Sequence, residues 1–199
     1  MKKKDNYIGY YIVSRILRFA GFVWFGDKVI GEENIPKEGR CILAGNHLSD
    51  MDAYLLFAGT KRPIHFLGKK ELFESSFGWF FKMMHLIPVD RKNKNPEAKA
   101  KAIEILEAEK VLGIFPEGTY HKEDLLLPFK PGVISFAEKT GAPIIPFAMD
   151  STFKFRCRPV IKFGKPIYVN KIKDQDKVAY LEKIVRDLLM ELQENRRNN

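Results

Sequence analysis

The 199-residue sequence has few of the residues that hold small disulfide-linked or metal-bound folds together: 2 cysteines, 4 histidines and 2 tryptophans. The two cysteines, Cys41 and Cys157, exclude a disulfide framework and a four-thiolate metal site. The histidines lack metal-binding spacing, and neither a Gly-x-Ser-x-Gly elbow nor a Gly-x4-Gly-Lys-Thr phosphate loop occurs. We therefore expect a protein of a reducing compartment with a hydrophobic core of its own.

The sequence also lacks an uninterrupted apolar run at its N-terminus. Arg15 and Arg18 interrupt residues 7–25, and no cleavage pattern follows, which argues against a signal peptide or a spanning helix. At about 100° per residue, basic and polar side chains fall on one side of a helix and Ile, Val, Phe and Trp on the other. Such a helix is typical of membrane interfaces, and packing on its own domain is the alternative. We assign residues 1–27 to this helix and 28–199 to one domain.

Positive charge and phenylalanine are abundant. Lys and Arg number 34 against 25 Asp and Glu, a net charge of +9, and there are 16 Phe. This charge attracts phosphates, anionic membranes, nucleic acid and acidic proteins alike. Because the basic residues are spread along the chain without an aromatic RNA-recognition signature, we expect an anionic membrane surface and no nucleic acid as partner.

Short apolar runs alternate with helical patterns after residue 39. We predict strands at 40–44, 63–67, 111–115, 144–149, 160–163 and 167–169, and helices at 49–59, 72–84, 96–110, 133–140 and 177–193. This order predicts an α/β fold with a central mixed, mainly parallel sheet of about six to seven strands flanked by helices, preceded by the amphipathic membrane-contacting helix. Ligands of such sheets bind outside the carboxyl ends of the strands.

The turn after the first predicted strand carries a histidine and a carboxylate in a suitable arrangement. Ser49 is a good N-cap, which would put Asp52 in the first helical turn with His47 folded back over it. Asp52 would then bind one imidazole nitrogen and leave the other as a general base for a hydroxyl attacking an acyl carbon. Backbone N–H groups of this helix end would stabilise the oxyanion. The alternative is a capping carboxylate beside a polar turn histidine.

Four blocks follow one another in a familiar order. They are Asn46-His47-Leu48-Ser49-Asp50-Met51-Asp52, Ile87-Pro88-Val89-Asp90-Arg91, Phe115-Pro116-Glu117-Gly118-Thr119 and Ala142-Pro143-Ile144-Ile145-Pro146. Together they resemble the glycerolipid acyltransferases, specifically the 1-acyl-sn-glycerol-3-phosphate acyltransferases. The resemblance implies that His47 is the base, that Asp52 orients it, and that the hydroxyl attacks an acyl thioester directly.

The resemblance also implies the substrate-binding residues. Arg91 would contact the acceptor phosphate with help from Lys69, since Arg binds phosphate as a fork, and Glu117 and Gly118 would shape the acceptor site. The predicted substrate-binding set is Lys69, Arg91, Glu117, Gly118, Thr119 and Lys130. No cofactor or metal is implied; the donor would be acyl-CoA or acyl-ACP and the acceptor a lysophospholipid, at the cytoplasmic side of the cell membrane as a peripheral protein.

One departure from the family pattern leaves alternatives open. Many members continue the third block with Arg, whereas this sequence has Tyr120. Lys122 or Lys130 would then supply the missing charge, or the acceptor is glycerol-3-phosphate or another lysolipid. A thioester hydrolase and a non-enzymatic basic membrane-binding module are further alternatives. The aromatic residues at 73, 77 and 79–81 would line an acyl groove or belong to the core.

Overall fold

A computed structural model of the chain describes residues 6–49, 51–90, 95–119, 126–150, 154–173 and 176–198. Within these residues one sheet holds seven strands in the order β1-β7-β6-β2-β5-β3-β4. The strands are β1 Lys28–Ile30, β2 Cys41–Gly45, β3 Ile64–Lys69, β4 Ile87–Val89, β5 Val111–Ile114, β6 Ile144–Asp150 and β7 Val160–Phe163. All neighbours are parallel except β6 and β7. The prediction of a mixed, mainly parallel sheet is confirmed.

Helices cover both faces of this sheet. They are α1 Ile8–Trp24, α2 Asp52–Gly59, α3 Lys70–Glu74, α4 Gly78–Met83, α5 Pro96–Glu107, α6 Gly132–Thr140 and α7 Lys177–Arg197. Alternate residues of β2 point to opposite faces, so Ile42 packs with α5, α6 and α7 while Leu43 packs with α1 and α2. Burial on both faces explains why the central strands appear in the sequence as continuous apolar runs.

Several element boundaries differ from the prediction. The predicted helix at 72–84 is two short helices, because the chain turns extended at Ser75 and Gly78 then lies so close to the Phe73 carbonyl that a Cβ would come within 2.2 Å of it. The predicted strand at 167–169 is a single bridge at Ile167 followed by a 3-10 helix. Strands β1 and β4 were not predicted. Both lie at sheet edges, where the proline of β4, Pro88, is tolerated.

Helix α1 packs on the domain through its buried residues Tyr10, Ser14 and Gly21 and through the partly buried Val13 and Leu17. The Tyr10 hydroxyl accepts a hydrogen bond from the Ile64 N–H at 3.0 Å, and Gly21 lies against the Tyr54 hydroxyl, leaving no room for a Cβ. The opposite side of the helix exposes Ile8, Ile12, Ile16, Phe19, Phe22, Val23 and Trp24. The helix therefore packs on its own domain and also presents an apolar surface to solvent. Among the described residues no helix has the length and apolarity needed to cross a bilayer.

Candidate active site

The site begins where β2 ends at the carboxyl edge of the sheet. The Asn46 side chain donates to the Met149 carbonyl at 2.8 Å and accepts from the Met149 N–H at 2.7 Å. This pair of bonds extends the pairing of β2 with β6 by a side chain after β2 has left the sheet. The position of His47, the next residue, is fixed as a result.

Asp52 holds the turn and the imidazole with a single oxygen. Its Oδ2 lies 2.5 Å from the Leu48 nitrogen, 2.8 Å from the Ser49 nitrogen and 3.0 Å from His47 Nδ1. Asp52 is 0% exposed and His47 is 9% exposed. Since Oδ2 accepts from two backbone N–H groups, we assign the proton between Oδ2 and the ring to Nδ1. The lone pair of a neutral His47 is then on Nε2.

The turn differs from the predicted cap in one respect. α2 begins at Asp52, and the Ser49 hydroxyl accepts from the Met51 N–H at 3.1 Å rather than capping further along the helix. The Asp52 N–H donates to the Ser49 carbonyl at 3.0 Å. The N–H groups of Leu48, Ser49, Met51 and Asp52 are thus bonded within the turn. The prediction that they serve as oxyanion donors is wrong for these four groups.

Phe115, the residue after β5, holds the flat side of the imidazole. Its ring stacks on His47 with centroids 4.0 Å apart and an interplanar angle of 12°. Phe66 lies behind Phe115 in a nearly parallel orientation at 6.0 Å. Stacking on Phe115 therefore fixes the orientation of the His47 ring plane, and the hydrogen bond to Asp52 fixes which ring nitrogen points towards the turn.

Glu117 supports the histidine from the main-chain side. It is 3% exposed, and its Oε1 accepts from the His47 N–H at 2.8 Å while its Oε2 accepts from the Leu127 N–H at 3.0 Å. Hydrogen bonds to a charged acceptor are stronger than neutral ones. This carboxylate ties the turn of His47 to the segment that leads into α6.

Gly118 and Lys130 are in direct contact. Gly118 has φ +74, and a Cβ there would lie 2.4 Å from the Lys130 Nζ. The Lys130 N–H donates to the Pro116 carbonyl at 3.0 Å, which brings the two segments together. The left-handed backbone favours glycine at this position, and any larger residue would also displace the end of the Lys130 side chain.

These residues border a groove of about 670 Å³, which we call the His47 groove. Its polar lining includes His47, Lys69 and Lys130. Its apolar lining comprises Ala53, Phe66, Leu67, Leu72, Phe81, Leu86, Val89, Ile114 and Phe115. The groove thus combines an imidazole, two ammonium groups, the Asp90 carboxylate and a hydrocarbon wall.

The comparisons with known proteins agree with this arrangement. A family model described as Acyltransferase matches residues 27–150. The chain belongs to the acyltransferase family. Two similar proteins are 1-acyl-sn-glycerol-3-phosphate acyltransferases: one from Bacillus subtilis, 37% identical over 62% of this chain and 62% of its own length, and one from Borreliella burgdorferi, 33% identical over 83% of this chain and 71% of its own length. This chain therefore spans less than two thirds of the Bacillus protein.

A solved structure has the same fold as this acyltransferase. The 1-acyl-sn-glycerophosphate acyltransferase PlsC from Thermotoga maritima superposes with a TM-score of 0.74 and 25% identity, covering 91% of this chain and 80% of that one. The likeness thus extends beyond the residues that the family model matches, to nearly the whole chain.

The predicted site residues of this acyltransferase are distributed in three ways. His47, Lys69, Gly118 and Lys130 line the groove. Asp52 and Glu117 contact His47 from behind, and Thr119 follows Gly118 in the same turn. Arg91, and also Tyr120 and Lys122, lie outside the described residues.

Two residues of the site, Asn46 and Phe115, had no predicted role. Both belong to the quoted blocks, so membership in a block was the available signal. The aromatic cluster divides between the two alternatives and solvent. Phe81 lines the groove and Phe80 packs against the core, while Phe77 and Trp79 are exposed.

Proposed function

We propose that this acyltransferase moves a fatty acyl group from an acyl thioester to the free hydroxyl of 1-acylglycerol-3-phosphate, forming phosphatidic acid. The observation that carries the proposal is the buried Asp52–His47 pair beside an apolar groove with two lysines. The names of the Bacillus and Borreliella relatives favour this acceptor.

The proposed reaction uses His47 as the only proton carrier. Nε2 takes the proton of the acceptor hydroxyl as its oxygen attacks the thioester carbonyl carbon. The C–O bond forms, the C–S bond breaks, and the imidazolium returns its proton to the leaving thiolate. Asp52 keeps Nδ1 protonated and stabilises the imidazolium through the 3.0 Å contact. No acyl-enzyme is needed.

Charge and groove shape support the proposed substrates. Lys69 and Lys130 supply positive charge to the acceptor phosphate, and Arg91 is proposed to complete that site. The acyl chain occupies the apolar wall that Phe66, Leu72 and neighbouring residues form. Acyl-CoA and acyl-ACP both fit as donors, and the net charge of +9 favours the encounter with either.

The acceptor carries a fatty chain, so the enzyme has to reach a bilayer. The exposed apolar side of α1 is suited to an interfacial position, with Arg15 and Arg18 near the lipid headgroups. On this basis we propose that the protein is peripheral to the cell membrane, and we keep the expectation from the sequence that it lies on the cytoplasmic side.

The reaction is tested with pure protein, a labelled acyl thioester and a panel of lysolipids and glycerol-3-phosphate, with products identified by mass. Phosphatidic acid from 1-acylglycerol-3-phosphate is the expected product. His47→Ala is expected to lose about 10² to 10⁴ of the turnover, because the proton acceptor is gone. Normal turnover in a folded variant, as judged by circular dichroism, would refute the role of His47.

The membrane role of α1 is tested with Ile12→Ser and Phe19→Ser, which alter only exposed residues. Each is expected to weaken liposome binding about tenfold, from the transfer energy of a buried Ile or Phe side chain, and to leave turnover of a soluble short-chain acceptor intact. Met190→Ser, at an exposed apolar residue of α7, is the control. Equal liposome binding of wild type and the three variants would show that the exposed side of α1 does not contact the membrane.

A further inference from the structure

Residues 154–158, which we call the 154–158 tip, lie at the same edge of the sheet as His47. β2 and β6 are parallel, with Gly45 opposite Phe147, so both strands end at that edge. β7 is antiparallel to β6, with Asp150 opposite Val160, so it begins there. β7 is two strands away from β2, or about 10 Å across the sheet. The tip that precedes β7 therefore lies at the same edge as His47, on the other side of β2 from the groove walls that β5, β3 and β4 form.

The tip is fastened to the C-terminal end of α1. The Arg156 N–H donates to the Trp24 carbonyl at 3.1 Å, and the Arg158 N–H donates to the Phe25 carbonyl at 3.0 Å. These two carbonyls belong to the end of a helix, where carbonyls have no partner within the helix itself. On its other side the tip is held by Arg196, whose guanidinium donates to the Cys157 carbonyl at 2.9 Å.

The tip presents an aromatic pair to solvent. Phe155 is 63% exposed and Trp24 is 58% exposed, and their rings meet edge to face with centroids 5.2 Å apart. Arg156 and Arg158 both have left-handed backbone, with φ +57 and +51. This conformation is unfavourable for residues with side chains. An exposed aromatic pair on a strained, anchored turn points to a partner outside the chain.

The charges around the aromatic pair, taken together with its exposure, favour an anionic lipid surface as the partner. Lys154, Arg156 and Arg158 are exposed, and the Arg156 guanidinium lies 5.8 Å from the Phe155 ring. Asp150, the nearby acid at the end of β6, is paired with Arg196 at 2.6 Å. Aromatic rings favour the headgroup level of a bilayer, and clustered basic residues favour anionic lipid. The surface is continuous with the exposed side of α1 through Trp24.

We propose that Trp24 and Phe155 insert into the headgroup region of an anionic phospholipid bilayer while Lys154, Arg156 and Arg158 bind its phosphates. This second contact, which rests on the proposed function, fixes the orientation of the domain on the bilayer. Contact through α1 alone would leave the domain free to rotate about the helix. It turns the carboxyl edge of the sheet, and with it the His47 groove, towards the bilayer that holds the acceptor.

The test uses the full chain with vesicles of equal parts phosphatidylglycerol and phosphatidylcholine, and with phosphatidylcholine alone. Phe155→Ala is expected to weaken binding to the anionic vesicles about tenfold. Arg156→Asn, which keeps a residue tolerant of left-handed backbone, is expected to weaken it three- to tenfold for anionic vesicles only. The control is Tyr168→Ala, an exposed aromatic beside Lys171 at the opposite edge of the sheet. Turnover of a soluble short-chain acceptor is expected to stay unchanged in all three.

Two outcomes separate this inference from the proposed function. If Phe155→Ala and Arg156→Asn bind anionic vesicles as tightly as wild type while Phe19→Ser binds more weakly, the proposed contact of the 154–158 tip is refuted. Helix α1 then remains as the proposed membrane contact. A Trp79→Phe variant reports Trp24 alone, since the chain has 2 tryptophans. Its emission is expected to shift to the blue on anionic vesicles and to be quenched by brominated lipid. Unchanged emission with bound protein also overturns the tip.

Discussion

Replacing Asp52 with asparagine separates the charge of this side chain from its geometry. The Leu48 and Ser49 N–H groups both point at Oδ2, so the asparagine amide oxygen has to occupy that position and its NH2 group the other. His47 Nδ1–H then still meets an oxygen. The tautomer with a free Nε2 is preserved, and only the negative charge is lost.

The expected loss of turnover follows from the distance between the two groups. A charge pair 3.0 Å apart is worth about 5 kcal/mol at an effective dielectric constant of about 20. The amide dipole of the asparagine retains part of this energy, so the loss is smaller than the whole charge-pair energy. It is at least the amount by which a charged hydrogen bond exceeds a neutral one, about 1–2 kcal/mol, and we take a value between these two bounds. A loss of about 2–4 kcal/mol in transition-state stabilisation corresponds to about 30- to 1000-fold in kcat.

The assay measures kcat and KM for 1-acylglycerol-3-phosphate with acyl-CoA in detergent, together with urea denaturation. We expect kcat to fall with little change in KM, because the charge acts on the imidazolium that forms during the reaction. Asp52→Ala is the comparison, and is expected to be less stable because the partly buried N–H groups of Leu48 and Ser49 lose their acceptor. A kcat for Asp52→Asn within threefold of wild type would refute the role assigned to this charge.

Two further predictions concern buried groups. Glu117 accepts hydrogen bonds from the N–H groups of His47 and Leu127, and in Glu117→Gln one of these N–H groups faces an NH2 group instead of an oxygen. The free energy of unfolding is therefore expected to fall by about 1–3 kcal/mol, and kcat to fall with it. An unaltered kcat would contradict the role of Glu117 in positioning His47. Burial raises the pKa of the Cys41 thiol to about 11, against an opposing effect of Arg62. A thiol reagent at pH 8 is therefore expected to modify only Cys157 in the native protein and both cysteines in urea, and two fast-reacting native thiols would contradict this.

The central strands were predictable because their sequence pattern and their burial have one cause. β2 and β6 are covered on both faces, so nearly every residue is apolar whichever way it points. β1 and β4 have three residues each, and each is held by pairing with one neighbouring strand, β7 and β3 respectively. A run of three residues, one of them a proline in β4, contains no local signal of that neighbour.

The site was predictable where the chemistry is local and unpredictable where it is not. His47 and Asp52 are five residues apart, and a strand-to-helix turn brings them together. Asn46 and Met149 are 103 residues apart, and Glu117 lies 70 residues from His47. The sequence shows neither contact, because both depend on β2 lying between β6 and β5. Glu117 was accordingly expected at the acceptor, whereas its oxygens bind the main chain.

Helix α1 shows why an amphipathic pattern alone does not decide which side faces the protein. Tyr10 is buried with its hydroxyl on the Ile64 N–H at the start of β3 and on the Arg62 carbonyl. Burial raises the pKa of this phenol, so the hydroxyl remains a donor at neutral pH. The packed side combines this hydrogen-bonded tyrosine with Val13 and Leu17, and the remaining apolar residues are exposed on the other side together with Arg15.

The same packing links α1, for which we propose membrane contact, to the turn that holds His47. Tyr54 lies two residues after Asp52 on α2, and its hydroxyl donates to Asp27 at 2.7 Å while it abuts Gly21 of α1. Burial and the Asp27 carboxylate raise the pKa of this phenol, so it donates throughout the physiological range. α1 therefore presents its apolar residues on one side and, on the other, contacts the helix that carries Asp52. In the proposed membrane-bound state, a bilayer that holds the outer side of α1 would thereby also fix the position of His47 relative to the lipid.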